Sequence, residues 1–186
     1  MKQEFSTRTA ALDDALGAGR CFDMTARDLT IGGRRARLWV VNGYAQESIL
    51  ERMIAQWLAA PDLTDMKTPD AFLQSFVTAC DAAVCLKKEE AVLGVLSGKT
   101  LLVVDGWDGG ILMDVKQFPT RSIEEPDTSR VLRGSHDGFV ENLMQNAALL
   151  RRRIRDTRLT LERVQLDNRS HTDVVLCYME GEADPG

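Results

Sequence analysis

The chain has 186 residues, of which 44% are hydrophobic and 27% are charged, and its formal net charge is −5. This composition is typical of a globular chain with one domain or two small ones, and the acidic balance argues against a molecule shaped as a whole for nucleic acid. No apolar run approaches the roughly 20 residues that a membrane span needs, and the first residues lack the apolar segment of a signal peptide. We therefore expect a soluble, cytosolic chain.

The first 117 residues predict a compact α/β layer. Residues 1–30 are polar and weakly patterned, apart from a short helix at 6–16 that Gly17 and Gly19 would end. The next predicted elements are a strand at 34–43, a helix at 46–60, a helix that begins at Pro69, a short strand at 82–86 and a helix at 87–98. Two apolar strands at 99–106 and 110–115 then flank a glycine-rich turn, a pattern that predicts a β-hairpin.

A linker and a smaller second unit follow. The segment 118–130 is the predicted linker, because its FPTRSIEEPD sequence contains two prolines and two adjacent glutamates. Beyond the linker, a helix precedes a strand at 158–167, whose imperfect alternation suggests a bulge, and a strand at 172–181. The fold class expected is α/β, with two small subdomains at 1–117 and 131–186. Each would be a mixed sheet packed with helices, and the second would be incomplete at its C-terminus.

The residues that carry chemistry give no support for catalysis. With only two histidines, the chain offers few ligands for a histidine-based metal site. No serine or cysteine has an identifiable general base that would make it a nucleophile. We therefore expect no enzyme activity, no metal and no cofactor. The four cysteines, Cys21, Cys80, Cys85 and Cys177, have no CxxC spacing, and the apolar stretch around Cys80 and Cys85 leads us to expect reduced, buried thiols there.

The helix of the second unit has one apolar face and ends in a cluster of arginines. The apolar positions recur at spacings of three and four residues, and they are Phe139, Leu143, Ala147, Leu150 and Ile154. Asp137 is the predicted N-cap, and Glu141 places negative charge near the positive end of the helix dipole. The cluster at the other end consists of Arg151, Arg152, Arg153 and Arg155.

Three explanations of this arginine cluster stay open from the residues alone. Cations are favoured at a helix C-terminus, so a solvated helix end accounts for part of it. Three consecutive residues, however, fan over roughly 200° of a helix, so at least one arginine must point toward a neighbour. That neighbour is a carboxylate, another subunit or a bound anion. A phosphate cradle at Gly134–Gly138 is disfavoured, because the Lys-Ser/Thr pair of a P-loop is absent.

Residues 125–181 resemble the spore germination protein A family, which comprises the A subunits of germinant receptors and related stage V sporulation proteins. The resemblance depends on an Arg-Gly-x-x-x-Gly-Phe-x-Glu pattern, a following asparagine and the arginines. These residues are Arg133, Gly134, Gly138, Phe139, Glu141, Asn146, Arg151, Arg152 and Arg153. A Tyr-x-x-Gly ending to the last strand, at Tyr178 and Gly181, agrees with the same family.

The resemblance implies a function and a set of partners. Family members carry this region as an N-terminal domain on the cytosolic side of the inner spore membrane. A multi-span domain follows it and is thought to form an oligomeric ion channel. The chain would then be a fragment whose partners are its own membrane domain, sister subunits or other germination membrane proteins, and not nucleic acid.

A hypothesis for the motif residues follows from this family resemblance. The arginine cluster would tether the second unit to the first, to a neighbouring subunit or to the membrane-proximal part, and so transmit a change of state to the channel. The candidate intramolecular carboxylates are Glu124, Glu125 and Asp127. The alternative function is a stand-alone small-molecule sensor with its ligand between the two subdomains.

Overall fold

The computed structural model describes residues 2–60, 62–63, 66–79, 81–116, 138–166, 169 and 171–182. Within these residues the α/β fold class is confirmed. The helices are α1 Lys2–Leu16, α2 Glu47–Leu58, α3 Pro69–Phe76, α4 Lys88–Leu96 and α5 Leu143–Arg153. The strands are β1 Met24–Ile31, β2 Arg34–Val41, β3 Ala82–Cys85, β4 Thr100–Val104, β5 Gly110–Met113, β6 Leu159–Gln165 and β7 Asp173–Met179.

Five of the strands form one sheet in the order β1-β2-β4-β5-β3. Every strand pair in the described sheets is antiparallel, so the expectation of mixed sheets is wrong. Antiparallel pairing follows from the short connections, because β1 and β2 are joined by a two-residue turn and β4 and β5 form the predicted hairpin.

Helices cover both faces of the five-stranded sheet. One face packs against α2 and α3, and the other packs against α1 and α4. In β4 the side chains alternate between these two cores, with Leu102 and Val104 in the first and Leu101 and Val103 in the second. A strand that is buried on both faces reads as a continuous apolar run, which explains the TLLVV sequence.

The second sheet consists of β6 and β7, paired antiparallel from Leu159↔Met179 to Gln165↔Asp173. The register is uninterrupted, so the bulge expected in this strand is wrong. Leu159 and Leu161 are buried at the start of β6, whereas the later residues of the strand are exposed. The alternation of β6 is imperfect because only its first half is covered by the rest of the protein.

Several predicted elements are confirmed and others are corrected. Both helices of the 46–76 region, the strands of the hairpin and the glycine end of α1 lie as expected, with Gly17 at φ 68°. β1 was not predicted, because it is an edge strand with exposed polar positions such as Arg27 and Asp28. The expected burial of Cys85 is confirmed, whereas Cys80 lies outside the described residues. The linker 118–130 lies outside the described residues, and the division into two subdomains stays a prediction.

Candidate functional site

The most deeply buried charges described in the structure belong to an ion pair that joins the two sheets. Arg151, in the last turn of α5, is 1% exposed, and Asp23, just before β1, is 0% exposed. The Arg151 Nε donates to Asp23 Oδ2 at 2.8 Å and its Nη2 donates to Oδ1 at 2.9 Å. The remaining terminal nitrogen, Nη1, donates to the carbonyl oxygen of Leu159 at 3.2 Å. The contact with Asp23 is bidentate. The planar guanidinium of an arginine can make such a contact, whereas the ammonium group of a lysine cannot.

The Asp23 carboxylate keeps Arg151 charged despite its burial. Burial alone would lower the pKa of the Arg151 guanidinium, but the hydrogen bonds and the charge of Asp23 raise this pKa above its ordinary value. Both groups are shielded from solvent, so the charge of each is compensated only by the other. Removing one partner should therefore lower the free energy of unfolding substantially.

Hydrogen bonds from two turns of the first sheet surround the ion pair. The turn before β1 contributes Cys21, whose Sγ donates to the Leu159 carbonyl at 3.7 Å, and Phe22, whose backbone N–H donates to the Leu161 carbonyl at 3.0 Å. The turn after β2 contributes Tyr44, whose hydroxyl donates to the carbonyl oxygen of Ala148 at 2.9 Å. We call this contact region, from residues 21–23 and 42–44 to α5 and the start of β6, the neck.

Small side chains allow α5 to approach the first sheet closely at the neck. Gly43 has φ 81°, and a Cβ built on it would lie 3.2 Å from Met144 Cγ and 3.6 Å from the Ala148 methyl group. Ala148 itself is buried and belongs to the same core cluster as Tyr44. Burial raises the pKa of the Tyr44 hydroxyl to about 12, while the nearby positive charge of Arg151 acts in the opposite direction.

The start of α5 is fixed by two asparagines. Asn142 is the N-cap, and its Oδ1 accepts from the backbone N–H groups of Met144 and Gln145 at 2.9 and 3.1 Å. The N-cap of α5 is thus Asn142 and not the predicted Asp137, which lies outside the described residues. Asn146, one of the predicted motif residues, holds the preceding loop by two bonds to the backbone of Val140, at 2.7 and 2.8 Å.

The later start of the helix also changes which residues are covered. Phe139, which was predicted to lie on the buried face, precedes the helix and is 68% exposed, and Ile154 at the C-cap is 37% exposed. Gly138 and Glu141 lie in the same exposed loop. The helical spacing does not apply to Phe139, because the segment that contains it is not helical.

The remaining predicted site residues divide into three groups. Arg151 points into the protein, whereas Arg152 and Arg153 are exposed, as the fan of consecutive helical positions requires. Arg133 and Gly134 lie outside the described residues. The three candidate carboxylates, Glu124, Glu125 and Asp127, also lie outside the described residues. The carboxylate that Arg151 contacts in the structure is Asp23.

Sequence reasoning missed Asp23 and Tyr44. One signal was present for Asp23, since an acidic residue between Phe22 and Met24 interrupts an apolar stretch. A carboxylate in such a position is buried only when it is paired. The partner, however, is 128 residues away in the chain, and no local pattern connects the two.

Two open cavities flank the neck. The first, which we call the cleft, has a volume of about 770 Å³ and lies between the two sheets, lined by Gly19, Arg20, Cys21, Phe22, Met24, Glu162, Arg163 and Tyr178. The second, which we call the groove, has a volume of about 460 Å³ and lies between α4 and the α5–β6 connection, lined by Ala15, Lys88, Glu89, Val92, Leu93, Leu96, Arg155, Asp156 and Thr157.

Membrane-spanning helices and metal-binding clusters are both absent from the described part of the chain. No helix there combines the length and apolar character required to cross a membrane. The same residues contain no cluster of three or more histidine, cysteine or acidic side chains that could hold a metal ion.

The fold and the neck define an α/β protein whose second sheet is attached by a buried ion pair. Residues 10–186 match the family model described as Bacillus/Clostridium GerA spore germination protein. The chain therefore belongs to the GerA family of spore germination proteins.

Named relatives agree with this assignment. The chain is 35% identical over 173 residues to stage V sporulation protein AF of Bacillus subtilis, a match that covers 91% of this chain and 35% of that protein. It is 29% identical over 147 residues to spore germination protein B1 of the same organism, covering 79% of this chain and 30% of that protein. The chain thus spans about a third of the length of these relatives.

A solved structure has the same fold. The N-terminal domain of the A subunit of the Bacillus megaterium spore germinant receptor GerK3 superposes with a TM-score of 0.66. The sequence identity is 18%, and the superposition covers 97% of this chain and 66% of that chain. The predicted resemblance to the germination family is confirmed by these comparisons.

Proposed function

We propose that this chain is a non-enzymatic domain of a spore germination membrane protein, and that it acts in assembly or in transmitting a signal to an ion-conducting membrane domain. The domain would lie on the cytosolic face of the inner spore membrane. Its partners would be the protein's own membrane domain, sister subunits or other germination membrane proteins. Family membership, the match to about a third of stage V sporulation protein AF and the fold shared with the N-terminal domain of the GerK3 A subunit support this proposal.

The observation that carries the proposal is the ion pair between Arg151 and Asp23. It supports the tether hypothesis for the arginine cluster, because one arginine joins α5 to the turn before β1. A buried pair of this kind is costly to leave half-made, so it favours two discrete arrangements over a continuum. Arg152 and Arg153, on the exposed side of the same turn, would contact the neighbouring subunit or the membrane-proximal part.

Charge reversal at Arg152 or Arg153 tests whether these exposed arginines contact a surface outside this chain. In the full-length protein, reversing the charge with Arg152→Glu or Arg153→Glu should slow ion release during germination. Both side chains are exposed, so these charge reversals should cost the chain's own fold less than a change at the buried Arg151. Arg169→Glu, an exposed arginine in the turn between the last two strands, is the matched control. A normal rate of ion release at normal protein levels would count against the proposal.

The cleft favours a second candidate function, a stand-alone small-molecule sensor. Its volume of about 770 Å³ lies within the range of ligand sites, and its lining combines charged groups with the ring of Tyr178. A thermal shift screen with amino acids, nucleotides and dipicolinate separates the two functions. A strong hit that Glu162→Ala abolishes would favour the sensor, whereas no shift with any of them would favour the assembly domain.

A further inference from the structure

Two strand edges border the cleft. β1 is the outer strand of the five-stranded sheet, and β6 has β7 as its neighbour on one side only within the described sheets. The cleft lies where these two strands leave the neck, because Met24 of β1 lines it from one side and Glu162 and Arg163 of β6 line it from the other. An edge strand presents backbone N–H and carbonyl groups with which a further strand can pair.

The register of β1 shows which of its backbone groups face outward. In an antiparallel pair, alternate residues direct their backbone groups to the neighbouring strand. The N–H of Asn42 donates to the carbonyl of Asp23 at 2.7 Å, so Asp23 and every second residue after it face β2. The residues that face away from β2 are Met24, Ala26, Asp28 and Thr30. Of their outward groups, the N–H of Met24 donates to the carbonyl of Cys21 at 3.2 Å, and the others have no backbone partner among the described residues.

The outward groups of β6 follow from the same alternation. The carbonyl groups of Leu159 and Leu161 point to the neck and accept its hydrogen bonds. Every second residue of β6 therefore faces away from β7, and beyond Leu161 these residues are Arg163 and Gln165. Their outward groups make no backbone hydrogen bond within the part of the chain that the structure describes. Beyond the neck, the open edges of β1 and β6 thus border the same cavity.

Uncompensated positive charge lies beside both edges. Arg27, in the middle of β1, and Arg163, in the cleft, are exposed and form no ion pair with the described residues. The other arginine of the cleft, Arg20, is already paired with Glu180 at 3.1 Å. Opposite charges on neighbouring strands attract one another, so Arg27 and Arg163 favour a segment that carries carboxylates.

The carboxylate of Asp28 restricts where the acidic residues of such a segment can lie. Asp28 is 76% exposed and pairs with Arg37 at 2.6 Å. Its side chain lies on the opposite face of the sheet from that of Arg27, because successive side chains of a strand alternate. A carboxylate beside Arg27 is attracted, whereas one beside Asp28 is repelled. The edge therefore fits a segment in which acidic residues alternate with uncharged ones.

From these edges and charges we propose that the cleft and the edge of β1 bind an extended acidic segment of a partner protein, which adds to β1 as a further strand. The outward N–H and carbonyl groups of β1 supply the backbone hydrogen bonds, and Arg27 and Arg163 select the acidic residues. Strand addition of this kind draws its affinity from main-chain hydrogen bonds and its specificity from alternate side chains. This surface is separate from Arg152 and Arg153 and goes beyond the proposed function.

The probe is a fluorescein-labelled peptide of alternating glutamate and valine, with eight residues to match the length of β1. We expect its fluorescence anisotropy to rise when the chain is added. The same peptide with lysine in place of glutamate should not bind, because Arg27 and Arg163 repel it. The glutamate peptide with methylated backbone nitrogens should not bind either, because it cannot donate hydrogen bonds to β1.

Substitutions in the chain test the charges and the backbone separately. Arg27→Glu and Arg163→Glu should each weaken binding about fivefold or more, because an attraction becomes a repulsion. Arg52→Glu, at an exposed arginine of α2 that does not line the cleft, is the matched control and should leave the affinity unchanged. Ala26→Pro removes one outward N–H, a change that an edge strand tolerates, and should weaken binding roughly tenfold. If Ala26→Pro does not fold, the methylated peptide makes the same test.

Hydrogen exchange at single amides distinguishes strand addition from a general attraction between charges. When the glutamate peptide is bound, the amides of Ala26, Asp28 and Thr30 should exchange at least about tenfold more slowly, because they gain acceptors. The amides of α2 should not change.

Several results would overturn the proposal. They are no binding of the glutamate peptide, equal binding of the lysine or methylated peptide, an equal effect of Arg52→Glu and Arg163→Glu, and binding without slower exchange in β1. Self-association of the chain through this edge that excludes the peptide would overturn it as well. If the peptide binds as expected but Arg152→Glu spores release ions normally, the proposed function fails and the strand addition stands.

Discussion

Asp23→Asn removes the charge of the buried carboxylate while keeping its size, so the loss of stability reports the ion pair and not a cavity. Both partners are almost fully withdrawn from solvent, at 0% and 1% exposure. Breaking such a pair from one side costs about 3–5 kcal/mol. An asparagine still offers one oxygen to the guanidinium, so we expect a loss near the lower limit, about 3 kcal/mol.

The assay combines urea unfolding with thiol labelling, because two native cysteines report different events. Cys21 is 4% exposed and belongs to the neck, whereas Cys85 is 3% exposed and lies at the end of β3 in the first sheet. Detachment of α5, β6 and β7 exposes Cys21 and leaves Cys85 covered. Since 1.4 kcal/mol is a factor of ten, the labelling rate of Cys21 should rise roughly a hundredfold in the variant.

An exposed ion pair supplies the control for this measurement. Asp81 pairs with Lys99 at 3.0 Å and is 64% exposed, so Asp81→Asn should change stability by less than about 1 kcal/mol. If Asp23→Asn behaves like Asp81→Asn in urea and leaves the Cys21 labelling rate unchanged, the buried ion pair does not hold the second sheet in place. Equal labelling rates for Cys21 and Cys85 would show that the neck opens only with global unfolding.

Three further changes test the neck and the helix that it holds. Tyr44→Phe removes the hydrogen bond to Ala148 and should cost about 0.5–1.5 kcal/mol in thermal unfolding. Because the folded-state pKa of Tyr44 is raised to about 12, wild-type stability should fall as pH rises from about 10 through 12, and the variant should lose less of it. Asn142→Ala removes the helix cap and should cost about 1 kcal/mol by urea titration, whereas an unchanged midpoint would contradict the cap. Gly43→Ala combines a positive φ with a 3.2 Å approach to Met144 and should destabilise the protein by at least ~1 kcal/mol, and a variant as stable as wild type would contradict the close packing.

The sequence predicted the elements whose signals are local. β4 and α2 were found because a strand buried on both faces is continuously apolar and a helix with one buried face repeats every three to four residues. β1 was missed because its buried positions, Met24, Leu29 and Ile31, are separated by exposed polar residues. An edge strand pairs with only one neighbouring strand and has one face covered, so its sequence contains few consecutive apolar residues.

The candidate site was predictable only in part, because only some of its features leave a local signal in the sequence. The fan of consecutive arginines showed that one of them must face a neighbour, and Arg151 does so. The identity of its partner depends on tertiary packing across 128 residues, so the sequence offered nearby glutamates instead of Asp23. Phe139 was misplaced because the cap at Asn142 starts the helix later than the apolar spacing suggested.

In the proposed function, the second unit acts through its buried attachment to the first. Ion release from germinating spores that carry full-length Arg151→Lys tests it most directly, because lysine keeps the charge but cannot make the two-pronged contact with Asp23. We expect slower release than in wild-type spores at an equal level of the protein. Spores that carry Glu182→Gln, which removes only an exposed ion pair with Arg158, should be unaffected. Release at the wild-type rate from spores with the normal amount of Arg151→Lys protein would contradict it.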